Sequence, residues 1–447
     1  MRIPPDLANR ALAAAAARMF PVYVVISGLY VLFRVGSFTN IADRVTDTPS
    51  YEQVAAHPLW SVDFYGGVRP FTLPLLYKVV TGSEGRIVAQ LVISTLCWLV
   101  LAGAVARAVR HRVVRPVAFA AVLAFSLTTE VILWDTLLLS ESLTFALTAL
   151  LLAAWFGLLR RPTRAAAVLV VVLLLLWTFA RDSNAYVVLA LAVLLAFSLL
   201  EARQRRLKLA LLVACASIFA AGFGSAEAGE RWLQPMHDVV FRRVIPTPGL
   251  REYFAQHGLS TTVNWTVTPW LERARSIYVG YLLRHPSYTL AAPFHGRQQA
   301  LYSTPGNLES LLDPDLRIYN DNASRRFLPL PGLLERVLFP RGLIAVLTLI
   351  GAAVALTAVV AAWARPETVW IVPAGLLLTT YPHLLVVWHF SGYEVDRHAL
   401  EAALLLRLGV LLLLVFSVDR ALVAVRAAIP LGALASRMPS SRPPWEA

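Results

Sequence analysis

The sequence predicts an all-α protein that crosses a membrane about ten times. Of 447 residues, 58% are hydrophobic and 15% charged, and the mean hydropathy is +0.64. The apolar residues gather in runs of roughly 17–25, the length a helix needs to cross a hydrocarbon core of about 30 Å. Charged residues lie between the runs and sort by sign. Together these observations exclude a soluble enzyme, and the net charge of +13 reads as sidedness rather than as a nucleic-acid surface.

The apolar runs cover 19–35, 87–106, 116–127, 137–159, 165–179, 185–200, 209–226, 343–363, 369–388 and 404–418. The third and fifth are short for a crossing, so neighbouring polar helix is expected to extend them. An even count puts both termini on one side. With that side cytoplasmic, 19 of the 40 Lys and Arg face inward with five of the 27 acids, as the positive-inside rule requires. The chain is therefore expected in the plasma membrane with both termini cytoplasmic. The first run has no small-residue cleavage site and reads as a retained helix. Cys97 and Cys215 fall inside runs and are assigned to packing.

Four regions follow: a membrane module at 1–226 whose first external loop, 36–86, is the expected catalytic element; an extracytoplasmic segment at 227–341; further membrane helices at 342–421; and a disordered cytoplasmic tail at 422–447. Within the second region, Thr268-Pro269 with Glu272 following is a helix start. The spacing of Trp270, Ile277, Tyr278, Tyr281 and Leu282 lays that helix on something apolar, either protein or membrane surface.

Candidate chemistry lies on the external side. Asp43 and Asp47 stand just outside the first run, where a carboxylate can take a proton from a hydroxyl while a lipid-borne sugar is presented from the bilayer. The plainer reading is that Asp47 caps a helix beginning at Pro49, or that both acids are solvated. Asp135 and Glu141 flank the fourth run, and Glu141 sits in otherwise apolar helix, where an ionisable group costs roughly 2.5–3.5 kcal/mol at the centre. Function and a buried bond to a Ser or Arg both account for it. Arg181, in the tight turn before Asp182, breaks the orientation rule; it can grip a phosphate or pair with Asp182. The last external turn carries Glu394, Asp396, Arg397 and His398, which can bind phosphate, orient a base or anchor the helix. Arg407, deeper in, needs an acid or a phosphate. No Ser-His-Asp set, P-loop or His-rich metal motif is present.

Several of these pieces resemble the GT-C superfamily of membrane glycosyltransferases, in its protein-mannosyltransferase and aminoarabinose-transferase-like branch. They are Asp47 with Tyr51 four residues on, Arg69-Pro70 with Pro74-Leu75, the Leu-Ser-Glu-Ser-Leu stretch around Glu141, the turn at Arg181, and the Glu394–His398 segment. The resemblance implies a polyprenyl-phosphate-linked sugar as donor, a glycan, lipid or protein acceptor, and inverting transfer outside the membrane with the loop Asp as general base. Asp47 is the best match to that base and Asp43 its rival, since the family often reads Asp-Glu-x-x-Tyr where this chain has Asp47-Thr48. Arg69, Arg181 and Arg397 would face the donor phosphate. Glu141, Asp135, Tyr51, Asp182 and His398 would position substrate. No cofactor is required by this scheme, although carboxylates alone leave room for a divalent cation. A non-enzymatic carrier or flippase for a lipid-linked or anionic substrate is the competing expectation, and an assembly factor the third. Charges clustered on one side favour surface chemistry over a transport path.

Overall fold

The computed structural model describes residues 5–36, 45, 47–201, 204–259, 268–295, 329–340, 342–364, 367–392 and 395–428. These residues are all-α, with 19 helices and no strand among them. The protein is an all-α polytopic membrane protein. In chain order the first part comprises α1 (Pro5–Gly36), α2 (Thr48–Ala56), α3 (Val62–Tyr65), α4 (Thr72–Val79), α5 (Ser83–Ala108), α6 (Val114–Ser126), α7 (Thr129–Ile132), α8 (Ser140–Arg160), α9 (Arg164–Thr178), α10 (Asp182–Ser198) and α11 (Arg205–Ala228). Then come α12 (Leu233–Val239), α13 (Pro248–Gln256), α14 (Thr268–Arg284), α15 (Pro286–His295), α16 (Pro329–Leu338), α17 (Leu343–Trp363), α18 (Ile371–Phe390) and α19 (Val395–Ala428).

Seven described helices are long and apolar enough to cross a membrane, or eight if the bent pair of α6 with 129–136 is one broken span. The two remaining runs form α9, of 15 residues, and α10, of 17. At 1.5 Å per residue these reach about 22 and 25 Å, short of a full crossing. The expected extension of α9 is absent because its end is closed off: Asn184 Nδ2 donates to the Trp177 carbonyl at 2.8 Å, and Arg181 adopts extended backbone before α10 begins.

The third run bends by 57° where α6 stops. Neither Pro nor Gly causes it. Ser126 Oγ donates to the Leu123 carbonyl (2.8 Å) and Thr128 Oγ1 to that of Phe125 (2.9 Å), local bonds that compete with the helical ladder. The bend frees the Ser126 carbonyl, which receives Arg34 Nη1 at 2.7 Å. Arg34 also donates to Ser94 Oγ (2.5 Å) and Asp135 Oδ2 (2.6 Å), while Ser142 donates to Asp135 Oδ1 (2.7 Å). A fully buried ion pair thus ties α1, α5, α6 and the start of α8 together.

Packing ranks the helices from centre to rim. The span in α19 is 89% buried, whereas those in α1, α11 and α17 are 11%, 22% and 17% buried and present apolar side chains outward, as lipid-facing helices do. At one end of α19, Asp419 accepts from the backbone N–H groups of Arg110 and His111, and Glu367 pairs with Arg110 and Arg420. At its other end lies the cluster described below. Arg407 lies over the Phe339 ring, 3.8 Å from its centroid, and donates to the Pro340 and Ala403 carbonyls.

The helix starting at Thr268 forms as expected, and its apolar face settles on protein. Leu271, Ala274, Tyr278 and Leu282 are buried with Met236, Val240, Leu250 and Phe254 in a separate small core. Arg243, buried in this unit and 4.3 Å from the Trp388 ring centroid, donates to the Ser391 carbonyl at 2.9 Å. Gly392 abuts the Asp238 backbone so closely that a Cβ would lie 2.3 Å from its carbonyl carbon. The small unit therefore holds the turn that leads into Arg397.

Candidate active site

Asp47 immediately precedes α2, where a capping aspartate is expected, yet its carboxylate makes no capping bond and its backbone is helical (φ −82°, ψ −21°). The side chain points instead to two arginines: Arg69 Nη2 donates to Oδ1 at 2.6 Å and Arg397 Nη2 to Oδ2 at 2.8 Å. Burial alone would raise the Asp47 pKa, but the Arg397 and Arg69 guanidiniums outweigh it and hold the carboxyl below its ordinary value.

Short local bonds place each partner. Arg69 Nε donates to Ser50 Oγ (2.7 Å), and the guanidinium lies 5.2 Å from the Tyr51 ring centroid. Tyr51 OH donates to Ser140 Oγ at 3.2 Å and Thr48 Oγ1 to the Leu138 carbonyl at 3.1 Å, fastening the loop to the start of α8. Thr72 fastens the Arg69 segment to the next turn, its hydroxyl donating to the Leu176 carbonyl (2.8 Å) and its amide to that of Phe179 (3.1 Å). Burial pushes the Tyr51 phenol up, so it stays protonated and keeps its donor.

Beyond Arg397 the chain of charges continues inward. Arg397 Nε stands 3.2 Å from Glu141 Oε1, and Arg181 Nη2 stands 3.7 Å from the same oxygen. Arg181 Nη2 also lies 3.1 Å from His398 Nδ1. Because guanidinium only donates, Nδ1 accepts and the His398 proton sits on Nε2. Cations and acceptors thus alternate as Arg69, Asp47, Arg397, Glu141, Arg181, His398. Five helices contribute to or border this line, and every member is wholly or partly buried.

Of the residues singled out from sequence, Asp47, Tyr51, Arg69, Glu141, Arg181, Arg397 and His398 converge. Asp135 does not join them, because Arg34, Ser94 and Ser142 surround its carboxylate. Asp182 is turned away from its neighbour Arg181 and held by Arg231, with Nη2 3.0 Å from Oδ1; Arg231 also donates to the Gly67 carbonyl and Ser225 Oγ. Asp43 and Glu394 lie outside the described residues. His383 on α18 was missed, and Glu401 on α19, which closes the last external stretch of charges, was given no role; each lies in the electrostatic field of Arg181. For His383, an ionisable residue within an apolar run was the available signal. Among the described residues, no group of three or more His, Cys, Asp or Glu is arranged to hold a metal ion.

Fold and cluster define a class: a multi-pass helical membrane protein with an alternating arginine–carboxylate site at one end of its bundle. No family model matches the chain, and no curated protein matches it in sequence.

Proposed function

We propose that this protein is an integral membrane glycosyltransferase of GT-C type. It moves a sugar from a polyprenyl-phosphate donor to an acceptor hydroxyl at the extracytoplasmic face of the plasma membrane. The observation that carries this reading is the Asp47 carboxylate held between Arg69 and Arg397, with Arg181 behind. Three guanidiniums suit the charge that develops on a departing lipid phosphate, and an ionised carboxylate among them suits the proton released by the acceptor.

In the proposed step the acceptor oxygen forms a bond to the anomeric carbon as the bond from that carbon to the phosphate oxygen breaks. The electron pair leaves with the phosphate and the hydroxyl proton passes to Asp47. A carboxylate of lowered pKa is a weak base toward a free alcohol. The alcohol becomes strongly acidic once its oxygen bonds to carbon, so a late proton transfer needs only a fixed, ionised acceptor. Attack opposite the phosphate inverts the anomeric centre. No metal enters this scheme.

Asp47→Asn is expected to lower transfer by about 10²–10⁴-fold while leaving expression and donor binding near the wild-type level; full activity would remove Asp47 as the base. The second reading, a carrier or flippase, draws support from the buried His383 and Glu401 within the spans. Movement of lipid-linked substrate across vesicles without sugar transfer would favour it.

A further inference from the structure

Around Arg181 the protein leaves an unusual number of buried polar atoms without a hydrogen-bond partner. They are both carboxylate oxygens of Glu141, whose Oε1 meets Arg397 and Arg181 only as an ion pair, both of Glu401, both ring nitrogens of His383, and Nη1 of Arg181 itself. Their residues are 1%, 0%, 1% and 6% exposed, and they come from α8, α19, α18 and the turn before α10. Folded proteins leave few such atoms, because each forfeits hydration without recompense. Three residues doing so around the Arg181 guanidinium, itself incompletely bonded, point to a ligand. The Trp177 indole also reaches Glu401, but its one N–H is directed to Thr148 Oγ1 at 2.8 Å.

The donor and acceptor inventory indicates what fits. Two carboxylates offer only acceptors when ionised, imidazole offers one donor and one acceptor, and the guanidinium offers a donor. Anions are repelled by two acids, and the described residues form no metal-binding group. A neutral group bearing several O–H donors, some of them on adjacent carbons, matches both the chemistry and the burial. The outer half of the cluster, with Arg69 and Arg397, suits an anion instead, and Arg181 stands between the two halves, 3.7 Å from Glu141 Oε1.

We infer that Glu401 and His383, with Glu141 and Arg181, form a hydroxyl-reading subsite that selects a polyhydroxylated ligand group, and that Glu401 and His383 determine specificity. The inference rests on the glycosyl-transfer reading in taking that group to be the sugar of the lipid-phosphate donor.

The test measures binding of two probes to the full-length protein in lipid nanodiscs: a polyprenyl phosphate, and the same lipid phosphate carrying a hexose. Wild type should bind the hexose-bearing lipid more tightly. Glu401→Gln and His383→Leu should each reduce that preference about tenfold or more and leave affinity for the bare lipid phosphate unchanged, with Glu401→Asp recovering part of it. Melting curves identify any variant that fails to fold, and the other variant then decides. An equal loss for both probes would overturn the inference, as would an unaltered preference or none in the wild type. Absence of transfer with the preference intact and variant-sensitive would sink the catalytic reading alone. Transfer with an unmoved preference would sink the subsite alone.

Discussion

Asp47 sits where a helix cap belongs and directs its carboxylate to two arginines, and that choice has a pH signature. Its pKa is lowered from 3.8 by Arg397 and Arg69, so the pairs stabilise the fold above the ordinary carboxylate range and are lost as pH falls through the lower folded value. Thermal stability of the wild type should hold to below about pH 4 as far as this site is concerned. In Arg397→Gln, with one cation gone, the folded pKa moves back toward the unfolded value, so less stability is lost on acidification; an unchanged acid limb would mean that Arg397 does not govern Asp47. Gly392 offers a steric test at the same scale. A Cβ there meets the Asp238 backbone at 2.3–2.5 Å, which cannot swing aside as a side chain can. Gly392→Ala should cost about 1–3 kcal/mol and displace the turn feeding Arg397, seen as a lower melting temperature together with reduced transfer.

At the scale of elements, the apolar runs were legible because a bilayer imposes length and composition on a helix, and all ten runs are helical. What the runs could not show was the 57° bend after α6, since its cause is a pair of hydroxyls bonding backward rather than a Pro or Gly. Asp135 was misplaced for the same reason: its partner Arg34 lies 101 residues away, at the end of α1, and only the bend brings them together. Removing one partner of such a buried pair is costly, about 3–5 kcal/mol, whereas replacing both by apolar residues is often neutral. Asp135→Leu alone should therefore destabilise the protein strongly, and Arg34→Met with Asp135→Leu should recover most of the loss with transfer intact. Loss of transfer in a stable double variant would return Asp135 to the site. The Glu141 and Arg181 ambiguities resolve at this scale too. Arg181 was weighed against Asp182 and Glu141 against a Ser or Arg on a neighbouring helix, and the fold pairs the two with each other and Glu141 with Arg397 from α19.

For the molecule as a whole, seven residues singled out from sequence converge because one end of the bundle gathers what the chain scatters between residues 47 and 398. His383 was overlooked because a lone ionisable residue within an apolar run resembles packing, and Glu401 because it stands just ahead of the last run, until the fold sets both in the field of Arg181. Sidedness gives a global prediction. Trp60, 88% exposed, lies on the loop assigned outside, and Arg112 on a loop assigned to the cytoplasm. Trp60→Cys should react with a membrane-impermeant thiol reagent in intact cells, and Arg112→Cys only after permeabilisation. The native Cys97 and Cys215 are buried and should stay silent. Reversed labelling would invert the orientation and move the site to the cytoplasmic face.

The central claim is that this end of the bundle transfers sugar from a lipid phosphate, and the most direct test is a transfer assay with purified protein, a panel of polyprenyl-phosphate sugars and identification of the product. The account predicts an inverted glycosidic product from at least one donor, formed by the wild type and nearly abolished in Asp47→Asn. A product formed equally well by that variant, or lipid movement across the bilayer with no product from any donor, would contradict it.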